Sequence, residues 1–237
     1  MITINFKNLN IKPGQKILDM GCGEGRHIAR ACQGEKIFCQ GADLSFPDLL
    51  KTKEKLKFHE KVNDFKDSSW GLNISDIMNL SFKSNLFDVV ICSEVLEHIP
   101  DDKNAVQELL RVLKNKGILA ISVPRFLPEK LCWMLSDQYL DVNQGHIRIY
   151  KKNKLIKMIE KNGAKHFKTH YAHGLHSPFW WLKCLVGCNR TDSFSVNLYH
   201  RLLVWDLMKK PKLTRIIEKI LNPFIGKSLV LYFIKDV

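Results

Sequence analysis

The stretch that decides the fold is "KILDMGCGEGRHIAR", Lys16–Arg30. A short apolar run ends in an acid, three glycines follow at alternate positions, and a basic, helix-compatible run comes next. Because glycine has no side chain, a glycine-rich turn between a strand and a helix lets a ligand approach the main chain and the helix N-terminus. The pattern predicts a nucleotide-like ligand at the first turn of a doubly wound sheet.

Strand-like and helix-like segments alternate outward from this turn. Strands are predicted at about 16–20, 36–42, 72–75, 87–93, 117–123 and 166–171. Helices are predicted at about 25–32, 47–60, 102–113 and 151–162. The runs "FDVVICS" and "GILAISVP" are nearly continuous in apolar residues, as in strands that are covered on both faces. The alternation predicts an α/β, Rossmann-like doubly wound sheet with helices on both sides.

Three positions narrow the choice of ligand. Arg26 stands where a dinucleotide fingerprint has its third glycine, and the Gly-Lys-Ser/Thr of a phosphate-binding loop is absent. Asp43 ends the second predicted strand, about 20 residues beyond the glycines, where an acid accepts from both ribose hydroxyls. Asp76 follows the third strand, where a carboxylate can accept from an adenine amino group. Together they indicate an adenosine that carries an amino acid.

Five motifs in order carry a family resemblance: "ILDMGCGEG", Asp43, "SDIMNLSF", "FDVVICSEVLEHIPD" and "LLRVLKNKGILAISVP". Over about 11–124 the chain resembles a class I S-adenosylmethionine-dependent methyltransferase of the type found in ubiquinone and menaquinone biosynthesis. The resemblance implies S-adenosylmethionine as the cofactor and S-adenosylhomocysteine as the product. It implies these cofactor-binding residues: Asp19, Met20, Gly21, Cys22, Gly23, Gly25, Asp43, Leu44, Asp76, Ile77 and Ser93.

Simpler roles stay open for two of the acids. Asp43 precedes a helix and could serve as its N-cap, and Asp76 could be an ordinary turn aspartate. Cys22 is expected to fill space in the loop without redox duty.

The segment "SEVLEHI" after the fourth strand is the candidate catalytic region. At helical spacing Glu94, Glu97 and His98 would lie near one face. The residues could hydrogen-bond the local turn, or His98 could act as a general base. The spacing ExxEH also resembles the metal motif of ubiquinone O-methyltransferases and small-RNA terminal methyltransferases, with His146 as a fourth ligand. Because Ile99 replaces the second histidine of the RNA enzymes, a divalent metal is not favoured, and His98 and His146 are the candidate catalytic residues.

Composition limits the partners and the compartment. The chain has 237 residues, 45% of them hydrophobic, and a net charge of +13. Seven irregularly spaced cysteines suggest reduced thiols, and neither a secretory signal nor a membrane-spanning apolar run is present, so a cytoplasmic protein is expected. The positive charge favours anionic partners such as nucleic acid. However, the sequence lacks the Asn/Asp-Pro-Pro-aromatic run typical of enzymes that methylate exocyclic amines of nucleic-acid bases. It also lacks the Pro-Cys dipeptide of cytosine-C5 methyltransferases. Nucleic acid is therefore the less favoured partner.

Residues 172–227 are longer than a minimal methyltransferase requires. We expect a methyltransferase core at 1–171, a helical insertion at 172–227, and a final strand at 228–237 that returns antiparallel, as the resemblance implies. The insertion combines "HGLHSPFWWLKCLVG" with apolar residues at helical spacing and basic residues between them. It could bury its aromatic residues against the sheet, or form a lid or a peripheral membrane contact. The segment 125–146 is expected to add a second acceptor wall.

The predicted activity is methyl transfer to oxygen or carbon of a small, lipophilic acceptor such as a quinone or lipid. Three alternatives remain open: a 2'-O-methyltransferase acting on RNA ends, a non-catalytic protein that keeps the cofactor pocket, and a nicotinamide oxidoreductase, which Arg26 disfavours.

Overall fold

The fold is a seven-stranded sheet with helices on both faces. The computed structural model describes residues 1–139 and 146–236. The strands are β1 Lys16–Met20, β2 Phe38–Asp43, β3 Ser69–Ile74, β4 Phe87–Ser93, β5 Leu113–Pro124, β6 Ala164–Ala172 and β7 Ser228–Lys235. The described helices are α1 Arg26–Cys32, α2 Phe46–Lys61, α3 Asp102–Val112, α4 Phe126–Leu135, α5 Lys152–Glu160, α6 His176–Val186, α7 Phe194–Lys209 and α8 Lys212–Ile225. Short 3-10 helices lie at Phe6–Asn8 and Leu96–His98.

The strand order is β3-β2-β1-β4-β5-β7-β6, and β7 runs antiparallel to both of its neighbours. This confirms the predicted doubly wound sheet with an antiparallel seventh strand. In register, Met20 lies beside Ala42 on one side and Cys92 on the other. The carboxyl ends of β1, β2 and β4 therefore meet at one edge of the sheet, which is where ligands bind in open α/β folds.

Two apolar layers stabilise the sheet from opposite faces. Successive residues of β4 alternate between them: Val90 and Cys92 belong to one cluster, and Val89 and Ile91 to the other. Burial on both sides explains why β4 reads as an uninterrupted apolar run.

Two strands, β5 and β3, begin three or four residues before their predicted starts. β5 begins at Leu113, four residues before the predicted start, because Leu113 pairs with Phe87 ahead of a register shift. Lys116 then adopts a φ of +62° before the regular pairing resumes at Ile118. β3 begins at Ser69 rather than Leu72 because it pairs with the whole of β2, from Phe38 to Asp43. Pairing partners set both bounds, and a single strand's sequence does not reveal them.

Residues 172–227 are largely helical, as predicted, and form α6, α7 and α8. Their aromatic residues pack mainly on helices. Trp181 and Trp180 contact a small cluster formed by Cys132, Tyr139, Cys184 and Cys188. The indole N–H of Trp181 donates to the Pro128 carbonyl in α4 at 3.1 Å. The domain boundaries remain predictions.

Candidate functional site

The glycine loop between β1 and α1 has a backbone that requires glycine. Gly21 and Gly25 have φ values of +71° and +78°. A Cβ on Gly21 would lie 2.2 Å from Val95 Cγ2, and one on Gly25 would lie 2.7 Å from Thr52 Cγ2. At Gly23 a Cβ would meet nothing within 4 Å. The loop is thus held closely by its neighbours on two sides and is open at its middle, where a ligand can approach the backbone.

Asp43 fixes this loop to the end of β2. Its Oδ2 accepts from the Gly23 N–H at 2.7 Å, and its Oδ1 accepts from the Ser45 N–H at 2.9 Å. Ser45, rather than Asp43, is the N-cap of α2, because its Oγ accepts from the Asp48 N–H at 3.4 Å. Leu44 is exposed beside the carboxylate. Each Asp43 oxygen keeps a lone pair with which it could accept from a ribose hydroxyl.

Asp19 lies beneath the loop and is almost fully buried. Its Oδ2 accepts from the Ile28 N–H in the first turn of α1 at 2.9 Å, and its Oδ1 has no partner among the described residues. Burial raises its pKa to about 7, although the Ile28 hydrogen bond opposes this shift. A cationic amino group at Oδ1 would supply the missing partner. The resemblance implies that Asp19 organises either the loop or the amino group of the cofactor, and this role stays a prediction.

The remaining predicted cofactor residues differ in exposure. Asp76 is exposed, and its Oδ1 accepts from the Met78 N–H at 2.9 Å, which is an ordinary turn contact. Ile77 and Met20 are core residues. Cys22 is buried, and burial raises the pKa of its thiol, which keeps it protonated. Ser93 ends β4, and its Oγ lies 2.7 Å from Ser122 Oγ. These contacts are compatible with the predicted binding roles, which stay predictions.

The segment after β4 is not the regular helix that the sequence predicts. Glu94 has a φ of +56°, and only Leu96–His98 forms a 3-10 turn. The Glu94 carboxylate therefore turns toward β5, where it accepts from Ser122 Oγ at 2.8 Å. The prediction that Glu94, Glu97 and His98 share one helical face is wrong at Glu94.

Glu97 and His98 meet His146 instead. The Ile147 N–H donates to the Glu97 carbonyl at 3.0 Å, which places the segment that begins at His146 beside the 3-10 turn. The rings of His98 and His146 are 4.8 Å apart between centroids. One ligand atom from each of Glu97, His98 and His146 lies within 4.8 Å of the others. The structure thus brings both predicted catalytic histidines together.

Glu97 is the least satisfied member of this group. Its side chain is fully buried, and neither carboxylate oxygen has a hydrogen-bond partner in the described part of the chain. Burial raises its pKa well above the ordinary value, and the neighbouring Glu94 raises it further. The donor set of one carboxylate and two imidazoles fits a divalent ion. Whether a metal binds there stays a prediction that the sequence does not favour.

Glu129 in α4 is a functional candidate that the sequence reasoning missed. Its Oε1 lies 2.7 Å from His146 Nδ1, and its Oε2 accepts from the Tyr139 hydroxyl at 3.0 Å. Burial alone would raise its pKa, but His146 and nearby Lys227 hold the pKa below its usual value. An acid inside the apolar run "FLPEKLCWML" was the available signal, since a buried carboxylate needs a partner.

Lys227 is the second missed residue. It lies just before β7, is half-buried, and places its ammonium 4.2 Å from the centre of the Trp180 ring. Burial lowers its pKa, and Glu129 and Glu94 oppose that shift. The site therefore joins acids, imidazoles, an ammonium and an indole at the carboxyl edge of β4 and β5. The predicted second acceptor wall, 125–146, contributes α4 and His146, and its residues 140–145 lie outside the described residues.

Comparisons with known proteins identify the family of this chain. A family model described as a methyltransferase domain matches residues 4–167. A ubiquinone biosynthesis O-methyltransferase from Haemophilus ducreyi is 29% identical over 186 residues, covering 74% of this chain and 76% of that protein. A sterol 24-C-methyltransferase, erg6, from Aspergillus fumigatus is 28% identical over 144 residues, covering 60% of this chain. The chain spans only 34% of the length of that sterol enzyme.

Solved structures agree on the fold. A putative methyltransferase from Bacillus halodurans superposes with a TM-score of 0.64 at 19% identity, over 98% of this chain and 97% of that one. Phosphoethanolamine N-methyltransferase 2 from Haemonchus contortus, in complex with S-adenosyl-L-methionine, superposes with a TM-score of 0.61 at 18% identity. The match covers 98% of this chain and 51% of that one. The family match covers well over half of the chain. The chain belongs to the class I S-adenosylmethionine-dependent methyltransferases.

Proposed function

We propose that this protein transfers the methyl group of S-adenosylmethionine to a hydroxyl of a small, lipophilic acceptor. The observation that carries the proposal is the 2.7 Å contact between His146 Nδ1 and Glu129 Oε1, next to the cofactor edge of the sheet. A carboxylate on Nδ1 fixes the imidazole so that Nε2 is free to accept a proton. A hydroxyl acceptor requires that base, so this pair favours O-methylation over C-methylation.

The proposed reaction is a direct displacement at the sulfonium methyl. The glycine loop, Asp43 and Asp19 would hold the cofactor, and the acceptor oxygen would approach the methyl group in line. His146 would take the hydroxyl proton as the oxygen–methyl bond forms and the sulfur–methyl bond breaks.

Apolar walls support a lipophilic acceptor. A groove of about 400 Å³ between α4, α6 and the end of α8 is lined mainly by apolar side chains, among them Leu131, Met134, Trp181 and Phe224. The names of two relatives, a sterol methyltransferase and a ubiquinone biosynthesis enzyme, also point to lipophilic acceptors.

An acceptor screen tests the proposal. With radiolabelled S-adenosylmethionine we expect label in phenols, quinol precursors or sterols, and at least tenfold less in RNA oligonucleotides. Label confined to RNA 2'-hydroxyls would contradict the small-molecule proposal. Tight cofactor binding with no transfer to either class would instead favour the non-catalytic alternative.

We further propose a peripheral contact with anionic membrane surfaces through α7 and α8. Along α8 the apolar residues Leu213, Ile216, Ile220 and Phe224 recur at helical spacing, and each is 58% exposed or more. No described helix is both long and apolar enough to cross a membrane. Residues 172–227 carry nine Lys and Arg against three Asp and Glu. A basic helix with one apolar face binds in the plane of an anionic membrane interface. A second copy of this protein would carry the same positive charge on this surface and would be repelled by it.

Vesicle binding tests this surface. The wild type is expected to bind vesicles with about a third phosphatidylserine at least tenfold more tightly than neutral vesicles. The double variant Ile216→Glu and Ile220→Glu should lose this binding, because both side chains are exposed and would carry charge into the interface. The control is Phe58→Glu, since Phe58 is equally exposed but lies on α2. Equal binding to both vesicle types, or no effect of the double variant, would refute the contact.

A cytoplasmic location stays a prediction.

A further inference from the structure

A cavity of about 700 Å³ lies between α1 and the helical segment that follows β6. Its walls come from residues 1–5, from α1 and α2, from the end of β6, and from α7 and α8. This volume is within the range of small-molecule sites. None of the residues proposed above for cofactor binding or proton transfer lines the cavity, so its composition needs a separate explanation.

The lining of this cavity is basic. Among its described residues, five are Lys or Arg and only two are Asp or Glu. The five cations are Arg26, Arg30, Lys55, Lys210 and Arg215. The two acids, Asp206 and Glu218, both pair with the Arg215 guanidinium. The other four cations form no ion pair within the described ranges, so the cavity has an excess of positive charge that the protein itself leaves uncompensated.

The position of Arg26 is unfavourable for α1 itself. Arg26 lies in the first turn of this helix, which has no acid, and a cation there opposes the helix dipole. Arg30 follows one turn later, and like charges at this spacing repel each other. Both side chains are exposed to the cavity and solvent rather than packed in the core. An anion bound between the two guanidinium groups would compensate both effects.

The charge of Arg26 also acts on His173, which lines the same cavity just after β6. Burial is the main reason that the pKa of His173 falls to about 3, and the guanidinium of Arg26 lowers it further. A cationic side chain of α1 therefore influences a residue that follows the sixth strand. The electrostatic environment of the cavity favours an anionic ligand over a cationic one.

We propose that this cavity binds a phosphomonoester whose phosphate is held by Arg26, Arg30 and Lys210. The phosphate of such an ester carries close to two negative charges near neutral pH and offers three strong acceptor oxygens. Guanidinium groups match these oxygens with paired N–H donors, and a lysine adds a point charge. A carboxylate, with a single charge, would leave most of the excess positive charge uncompensated.

The cavity also has room for an organic group beside the phosphate. The apolar side chains of Ile2, Ile4 and Leu207 line it together with Tyr171. The shared chemistry is therefore a phosphate ester, which can be a soluble metabolite or the headgroup of a lipid phosphate. This binding does not depend on the proposed methyl transfer, because the site uses different residues.

Calorimetric titration of the full chain with glycerol 3-phosphate and with inorganic phosphate tests the proposal. Saturating S-adenosylhomocysteine is included in one series, so that the glycine loop cannot account for the signal, and omitted from a second. In both series we expect one equivalent of phosphate ester to bind, with an affinity that falls as the salt concentration rises. Glycerol, which has no charge, should not bind.

The source of the phosphate is distinguished with vesicles. Vesicles that contain phosphatidic acid are compared with phosphatidylserine vesicles of matched surface potential. If the ligand is a lipid phosphate, the protein should prefer phosphatidic acid by about tenfold or more. If the ligand is soluble, glycerol 3-phosphate should bind while the two vesicle types are bound equally. Either result supports the phosphate site.

Charge-neutral variants locate the site. The double variant Arg26→Gln and Arg30→Gln should weaken phosphate binding by about tenfold or more, because it removes two charge-assisted donors. The matched control is Lys53→Gln with Arg201→Gln, which removes two cations from exposed positions of α2 and α7 outside the cavity. Its affinity should stay nearly unchanged. If the α1 variant does not fold, Lys210→Asn decides the outcome, since asparagine tolerates the positive φ of 47° at this position.

Two results would overturn the proposal. The first is that the wild type binds neither phosphate probe and does not prefer phosphatidic acid. The second is that the control variant loses as much affinity as the variants of the cavity, which would show attraction by the net charge of the protein alone. Binding of S-adenosylhomocysteine, measured separately, tests the cofactor site and is unaffected by either result.

Discussion

Asp43→Ala is expected to weaken binding of S-adenosylhomocysteine by on the order of a hundredfold or more. The carboxylate holds the Gly23 N–H at 2.7 Å and is positioned to accept from ribose. Hydrogen bonds to a charged acceptor contribute about 1.5–3 kcal/mol each. The loss of the two bonds to the ribose hydroxyls therefore corresponds to roughly 3 kcal/mol or more of binding free energy. Calorimetry with S-adenosylhomocysteine and with NADH measures the effect.

The control for this variant is Glu54→Ala, which removes an exposed acid of α2 and should leave the affinity unchanged. Asp43→Asn should bind at an intermediate level, because the amide keeps one acceptor oxygen. A preference of the wild type for NADH would contradict the cofactor assignment. Unchanged affinity in Asp43→Ala would show that the glycine loop binds the cofactor without the carboxylate.

His146→Ala is expected to lower kcat by about 10²–10⁴-fold while leaving S-adenosylhomocysteine affinity nearly unchanged. Loss of a positioned general base costs a factor of this order. The histidine lies at the acceptor side of the site, between Glu129 and His98, rather than at the glycine loop. Initial rates with the best acceptor from the screen, across a pH series, provide the measurement.

Glu129→Gln tests the positioning role of the acid that holds His146. It should lower kcat several-fold with little change in KM for S-adenosylmethionine, because the amide can hold the ring but cannot stabilise its protonated form. His200→Ala serves as the matched histidine control. Full activity of His146→Ala would refute the base assignment. Loss of wild-type activity in a strong chelator, with recovery on adding a divalent ion, would instead make Glu97, His98 and His146 metal ligands.

The sequence predicted the sheet and the cofactor edge because both depend on local signals. The apolar runs of β4 and β5 identify central strands, and alternate glycines after β1 identify the turn that only glycine can make. Asp43 was placed at the end of β2 by its distance from that turn, and the structure confirms its position. Chain order fixes these features, so one sequence is enough to find them.

The acceptor side was harder to predict because its contacts join distant segments. Glu129 and Lys227 are 98 positions apart, and each reads alone as a solvated charge on a helix or before a strand. The φ of +56° at Glu94 breaks the helical spacing that the sequence suggests. This turn follows from the pairing of Glu94 with Ser122 on β5, which no local pattern reveals.

The position of β7 affects how the protein is made. β7 lies between β5 and β6, and the hydroxyl of its Tyr232 accepts from the Asn5 N–H at 2.8 Å. On the ribosome, β6 and the exposed side of β5 therefore have no partner until β7 has been synthesised. A nascent chain stopped before Ser228 would present an open, apolar strand edge to its neighbours. Translation must proceed past the helical segment before the sheet can close, so chaperone protection matters most during that interval.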